Sequence, residues 1–382
     1  MAVPTLSDDL LARIHARAAG YDSWGEFFRD DFTELQREGY LTSLVPDGLG
    51  GGGMSLPEVV RQQARLAASA PATALGVGMH LVWTGVAKTL HDRGDHSLDF
   101  VLTEAAAGEV FAFAISEPGN DLVLFGSTTH AVRRGDGGYE FSGTKIFTSL
   151  SPVWTRLGTF GLDETSADAP KLVHAVVTRD APGVTVLDDW NTIGMRATQS
   201  HSTRLEAAAA EPSRVFRRLN PGPNPDPLIF AIFANFEILI AAAYAGIADR
   251  ALQLAVDAAR SRTSARTGTT KDQDPDVRWR IADAALAVDA LWPRLDSLAR
   301  DVEHQVDYGD QWFRRLVGLK LAATRTARDV VDQAVAVTGG ASFFAGSEIG
   351  RLYRDVLAGG FHPSNEDSVH STVATAVLGP VQ

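Results

Sequence analysis

Apolar residues recur at helical spacing from 7 to about 109, at alternate positions from about 110 to 217, and again at helical spacing to the end of the chain. The change of period predicts a helical region (1–109), a strand-rich region (110–218) and a second helical region (219–382), an α+β plan. In the first, Pro46 to Gly53 break the pattern, and Ser55-Leu56-Pro57-Glu58 restarts it as a helix opening. In the second, Phe111, Phe113 and Ile115 alternate with Ala112, Ala114 and Ser116, a strand with one buried face that Glu117-Pro118-Gly119 ends. Another strand follows, Asp136-Gly137-Gly138 reverses the chain, and Tyr139, Phe141, Lys145, Ile146 and Phe147 continue as a third. Residues 171–177 alternate as well, and Pro182-Gly183 turns the chain into the strand that Val184 starts. Pro221, Pro223, Pro225 and Pro227 make 219–227 the clearest linker, and long helices are expected over 228–262, 276–306 and 310–337.

Composition narrows the function classes. The chain has 382 residues, enough for a large core, and a net charge of −12 that argues against a general nucleic-acid or anionic-membrane surface. No cysteine is present, which excludes disulfides, thiolate metal sites and cysteine nucleophiles and agrees with a cytoplasmic setting. No metal-ligand set is assigned. Met1 to Arg17 carries acids and lacks a basic start followed by an apolar core, so it does not read as a signal peptide. The apolar run 228–247 is interrupted by Asn235 and Glu237, which reads as a core helix rather than a membrane span. The glycines at 50–53 lack a Gly-Lys-Ser/Thr ending and no strand precedes them, against a phosphate loop.

Candidate chemistry gathers at two strand ends. Ser116 and Ser149, with Phe147 two residues before the second, suit a flat heteroaromatic ring that needs stacking and hydrogen bonds at its rim. The alternative is an ordinary β-hairpin. His80, in an apolar helical run, reads first as a satisfied core histidine. Arg196 could clamp an anion but reads first as a structural ion pair. Glu237, in an apolar helix, needs a partner or a raised pKa.

Ser116-Glu117-Pro118-Gly119 and Gly143-Thr144-Lys145-Ile146-Phe147-Thr148-Ser149 resemble the paired signature of the acyl-CoA dehydrogenase family. Further matches are Val45, Pro46, Gly50 and Gly51 in the first region and 190–200, which is similar to the family's Lys-Met-Gly-x-Arg-x-Ser segment. Gly246 to Ala251, Gly339-Gly340 and Arg354-Asp355 extend the likeness through the third region, so that it covers nearly the whole chain. The resemblance implies an all-α N-terminal domain, an antiparallel β-barrel-like middle domain and a C-terminal four-helix bundle. It implies FAD, or FMN, with Phe113, Ser116, Phe147 and Ser149 at the ring, and Arg262, Gly339 and Gly340 toward a neighbouring subunit's flavin nucleotide. A homodimer or homotetramer and an electron-transfer flavoprotein partner go with it. Asn120-Asp121 replaces the family's Ala-Gly-Ser-Asp, Ser264 its phenylalanine and Ala336 its glutamine.

The family's base is a glutamate that takes the α-proton of an acyl-CoA while the flavin takes the β-hydride. Counting from Arg354-Asp355 puts Pro363 in that position, and counting back from Gly246 to the other known location gives Phe236, with Glu237 one residue off. Glu237, Glu366 or Asp367, and His362 are therefore the candidate catalytic residues for α,β-dehydrogenation. Two-component flavin monooxygenases share the fold, receive reduced flavin from a reductase, and resemble this chain at Asp355 with His362 seven residues on, at Asp274-Pro275-Asp276-Val277 and at His80. A third reading is a non-catalytic partner subunit that has lost its base.

Overall fold

The computed structural model describes residues 5–165, 169–379 and 381; the remaining positions of the expected N-terminal, middle and C-terminal regions lie outside it. Ser7 accepts a hydrogen bond from the Leu10 amide and opens α1 (Asp8–Trp24), followed by α2 (Arg29–Arg37). A capping box, with Glu58 accepting from the Ser55 amide at 2.8 Å, starts α3 (Leu56–Ser69) where the sequence signals it. Then come α4 (Pro71–His91) and α5 (Asp99–Ala106), and the chain enters the sheet.

The strands are β1 (Phe111–Ala114), β2 (His130–Arg133), β3 (Tyr139–Lys145), β4 (Arg156–Asp163), β5 (Lys171–Thr178), β6 (Val184–Val186), β7 (Thr203–Ala210) and β8 (Val215–Leu219). They form one sheet in the order β6-β7-β3-β2-β4-β5-β8, with β1 also on β4. The expected antiparallel pairing holds except at β4, which takes β1 and β2 parallel. Parallel neighbours need a long connection, and the β2–β3 hairpin is part of the one between β1 and β4. β1 was expected to bury one face, yet all four of its residues are buried. α4 covers the face that carries Phe113: Trp83 donates from Nε1 to the Ala112 carbonyl at 2.9 Å and packs on Phe113, while the small side chains of Ala112 and Ala114 are buried as well. Gly158 on β4 makes room, since a Cβ there would lie 2.2 Å from the Trp83 ring. β3 ends at Lys145 rather than continuing through Phe147.

Asp226 accepts from the Leu228 amide at 2.8 Å and caps α6 (Pro227–Ser261), with Pro227 in the first turn. This helix is long and apolar enough to cross a membrane, but 89% of its most apolar window is buried inside the protein. Its polar Asn235 is satisfied by Thr89 Oγ1 and the Ala231 carbonyl, both at 2.9 Å. α7 (Pro275–Glu303) and α8 (Gln311–Thr338) pack beside it, α3 and α4 cover its other side, and α9 (Glu348–Val356) and α10 (Glu366–Leu378) follow. Arg250 of α6 holds Glu348 of α9 at 2.7 and 2.8 Å, and His15 of α1 meets the same carboxylate at 2.9 Å. That junction ties α9 to α6 and α1.

His174 on β5 is fully buried, stacks on Phe160 with centroids 5.2 Å apart, and has no hydrogen-bond partner on either ring nitrogen among the described residues. Burial, with the Lys145 charge, pushes its pKa down to about 3. Protons then bind the unfolded chain preferentially, so this residue's contribution to stability falls as the pH drops below about 6.5. Denaturant unfolding at pH 7 and pH 5 should show His174→Phe losing about 2 kcal/mol less than the parent over that interval.

Candidate active site

Two buried charges, just behind the cavity, support the site. Lys145 Nζ lies 2.5 Å from Glu117 Oε1, donates to the Phe160 carbonyl at 2.7 Å and sits 4.4 Å above the Phe160 ring. Glu117 also accepts from Ser127 Oγ (2.6 Å), the Thr128 and Thr129 amides (2.7 and 3.2 Å) and Asn120 Nδ2 (2.8 Å). Burial works to raise the Glu117 carboxyl, but the Lys145 ammonium and these donors outweigh it and hold it well below the usual carboxylate range. Burial lowers the Lys145 ammonium against the pull of Glu117. With Lys145 drawn inward and the Ile146 amide on the Ser116 carbonyl at 2.9 Å, the chain leaves the ladder. Phe147 takes φ 57°, uncommon for a bulky residue, and the residue stays 49% exposed.

That phenylalanine edges a cavity of about 260 Å³ to which all three regions contribute. Leu75 and Met79, one turn apart on α4, form one side, and Phe113 and Phe236, stacked 5.4 Å apart, form another. Trp190 stands edge-on to Phe147 at 6.1 Å, its Nε1 held by the Arg196 carbonyl at 3.0 Å. Ser149, Ser200 and Thr198 make a chain of hydroxyls with contacts of 2.8 and 2.7 Å, ended by Thr198 donating to the Met195 carbonyl at 2.9 Å. Asp355 accepts from the Met195 amide at 2.6 Å, and Gly194 is required beside it because a Cβ would lie 2.1 Å from the Arg354 carbonyl. Burial raises Asp355 to about 6. Arg354, at the cavity wall, pairs with Asp22 of α1. An exposed aromatic face, convergent hydroxyls and an apolar surround fit a flat heteroaromatic ring.

The structure brings together Phe113, Ser116, Phe147, Ser149 and His362 in this wall. It does not bring in Glu237. Phe236 faces the cavity, and the next residue, turned by about 100°, points into the helical bundle. There Glu237 accepts from Ser364 Oγ and lies near Lys320, whose Nζ donates to the carbonyls of Gly359 (3.0 Å), Ser364 (3.1 Å) and His362 (3.4 Å). Burial raises the Glu237 carboxyl and lowers the Lys320 ammonium, each opposed by the other's charge. Glu366 is also outside, in the first turn of α10, exposed and paired with Arg325; Asp367 follows it in that turn and is exposed too. Pro363 occupies the wall where the family's base was expected, and among the described lining residues there is no carboxylate.

His80 stays in the core: it accepts from the Phe111 amide at 3.0 Å and meets the Leu41 carbonyl at 2.9 Å, neutral because burial pushes it down to about 4. Arg196 donates to the Ser23 carbonyl at 3.5 Å and has no ion-pair partner among the described residues, where a structural ion pair was expected. Arg262 donates to the Thr338 carbonyl beside Gly339 and Gly340, and none of these three lines the cavity. Sequence reasoning missed Trp190, Thr198 and Ser200 as wall residues, although they lie in the 190–200 segment it had singled out. Leu75, Met79, Leu357 and Phe361 carried no signal beyond being apolar.

Two family descriptions match the chain: "Acyl-CoA dehydrogenase, middle domain" over residues 112–208 and "Acyl-CoA dehydrogenase, C-terminal domain" over residues 238–366. Amino sugar nitrososynthase DnmZ of Streptomyces peucetius is 29% identical over 87% of this chain and 82% of its own. Dibenzothiophene monooxygenase of Rhodococcus qingshengii is 27% identical over 92% of this chain and 88% of its own. The solved structure of KijD3 in complex with FMN and dTDP-3-amino-2,3,6-trideoxy-4-keto-3-methyl-D-glucose has a TM-score of 0.86 at 26% identity, covering 98% of this chain and 92% of that one.

Removing one member of the buried pair should cost far more than removing both. Lys145→Met is expected to lose about 3–5 kcal/mol in denaturant unfolding, and Glu117→Gln/Lys145→Met to recover much of it. Equal losses in the two variants would show that the pair is not the joint described.

Proposed function

The chain belongs to the acyl-CoA dehydrogenase family, and from that premise we propose that it is a flavin-dependent monooxygenase that takes reduced flavin from a separate reductase. One observation carries this reading. The cavity wall offers His362 and Pro363, and no carboxylate among the described residues, where α,β-dehydrogenation of an acyl thioester needs a base. Its similarity to an amino sugar nitrososynthase and a dibenzothiophene monooxygenase supports it further.

Phe147 and Trp190 would cover the flavin ring, Ser116 and the Ser149–Ser200–Thr198 hydroxyls would meet its rim, and FMN is the first form to test because KijD3 is described with it. Reduced flavin bound there would supply the electrons with which molecular oxygen is split, one atom going to the acceptor and the other leaving as water. The chain's own part is to exclude water and orient the reactants. Leu75, Met79, Phe113, Phe236, Leu357 and Phe361 make the surround apolar, which suits a small apolar acceptor. His362 Nε2 lies 3.0 Å from the Tyr244 hydroxyl, and burial and the nearby Lys320 charge keep the imidazole neutral, so that it meets reactants at the cavity as a hydrogen-bonding group without fixed charge. An electron-transfer flavoprotein partner and an acyl-CoA substrate belong to the dehydrogenase reading. A homo-oligomer remains part of the proposal: Phe343 and Phe344, exposed beside Gly339 and Gly340, are apolar area that a second copy would cover.

Anaerobic titration with FMN and FAD, oxidised and reduced, followed by oxygen in the presence of a flavin reductase and a panel of apolar heterocycles, tests the reading. Reduced flavin should bind more tightly, and His362→Ala should lower product formed per oxygen consumed by roughly 10²-fold without changing flavin affinity. Bleaching of bound oxidised flavin by an acyl-CoA thioester would overturn it.

A further inference from the structure

His91 ends α4, His96 lies in the turn that follows, and Asp99 opens α5, so the chain's reversal brings the three side chains to one point. His91 Nδ1 is 2.8 Å from Asp99 Oδ1, and His96 Nδ1 is 2.9 Å from Asp99 Oδ2. The two nitrogens are themselves 3.3 Å apart, with the rings edge-to-face. An ionised carboxylate only accepts, so each Nδ1 must carry a proton to bond to it, and two N–H donors then crowd the same space. A cation resolves that conflict, because both nitrogens become lone-pair donors to it. Ligand atoms of a tetrahedral ion with bonds of about 2.0–2.1 Å stand roughly 3.3 Å apart, close to the nitrogen separation.

From this geometry we propose that His91, His96 and Asp99 form a site for a divalent transition-metal ion of the zinc class, which clips the end of α4 to the start of α5. Nothing read from the sequence assigned a metal to this chain. Two imidazoles are borderline donors suited to zinc and its neighbours, which also accept a carboxylate beside them, whereas calcium and magnesium take all-oxygen sets. Ligand-capable atoms of the three residues all lie within 4.8 Å of one another. The turn that carries His96 is held before any ion binds: Asp95 accepts from the Ser97 amide at 3.0 Å, and Arg217 of β8 pairs with Asp95 and donates to Ser97 Oγ at 3.2 Å. Arg217 also pairs with Asp226 at 3.1 Å, so its charge is balanced by two carboxylates and does not repel a cation nearby. His96 is the exposed member, with 63% of its side chain accessible, which leaves the fourth position to water. The site stands apart from the cavity, none of whose lining residues it shares.

The test uses untagged full-length protein, stripped with EDTA and titrated calorimetrically with Zn²⁺, and with Co²⁺ as a spectroscopic probe. One ion per chain, visible Co²⁺ bands of four-coordinate type, and a rise in melting temperature with Zn²⁺ are expected. His96→Ala and Asp99→Asn should each weaken binding by roughly 100-fold, while His370→Ala, on exposed α10, should leave it unchanged. Circular dichroism at the titration temperature confirms that the variants are folded. Absence of binding below about 1 mM in the parent chain, or parental affinity in both ligand variants, would overturn the proposal.

Discussion

Everything about the cavity depends on a buried carboxylate and a buried ammonium sharing a short contact between two strand ends. Such a pair loses its hydration, and the loss is offset only where the remaining lone pairs and protons are also met. Glu117 meets that condition with a lysine, two backbone amides, two hydroxyls and a carboxamide, and Lys145 with a backbone carbonyl and an aromatic face. Because all these donors converge on one carboxylate, the loop from 117 to 129 and the end of β3 have one arrangement relative to each other. Ser116, Phe147 and Ser149 inherit their positions from it, including the positive φ that aims the phenylalanine outward.

A second buried lysine does similar work on the opposite wall. Lys320 gathers the carbonyls of 359, 362 and 364, and Glu237 supplies the compensating charge while holding Ser364. The irregular stretch carrying His362 and Pro363 is thereby fixed against α6 and α8 without regular secondary structure of its own. Glu237 thus belongs to the support of the wall, one layer behind the residues that face the cavity. The Arg354–Asp355 pair closes the remaining side, Asp355 on the Met195 amide and Arg354 on Asp22, which locks α9 to the 190–200 segment and to α1.

What remains at the surface of the cavity is mostly aromatic and aliphatic, with hydroxyls along one rim and a neutral imidazole along another. Hydroxyls and a neutral histidine can orient reactants without bringing fixed charge into a dry space; Glu117, Lys145, Glu237 and Lys320 stand behind the wall, and the one charged side chain among the described lining residues, Arg354, is paired with Asp22. The chemistry proposed for the site needs that separation between charges that hold structure and uncharged groups that meet the reactants.

Periodicity was enough to read helical, strand-rich and helical regions and the three long helices, because side-chain period reports local backbone geometry directly, and the local cap and turn residues added the start of α3 and the β2–β3 hairpin. The motifs around Ser116 and Phe147 pointed to Phe113, Ser116, Phe147 and Ser149, four of the residues in the cavity wall. The parallel pairing at β4, the second buried face of β1 and the roles of Trp190, Thr198 and Ser200 were not readable, since each is set by a neighbour distant in sequence. The separation of Phe236 from Glu237 shows why. A helical pattern determines that adjacent residues diverge by about 100°, but which of the two meets the cavity and which meets Lys320 is decided only when α6 is rotated into place by α3, α4 and α8.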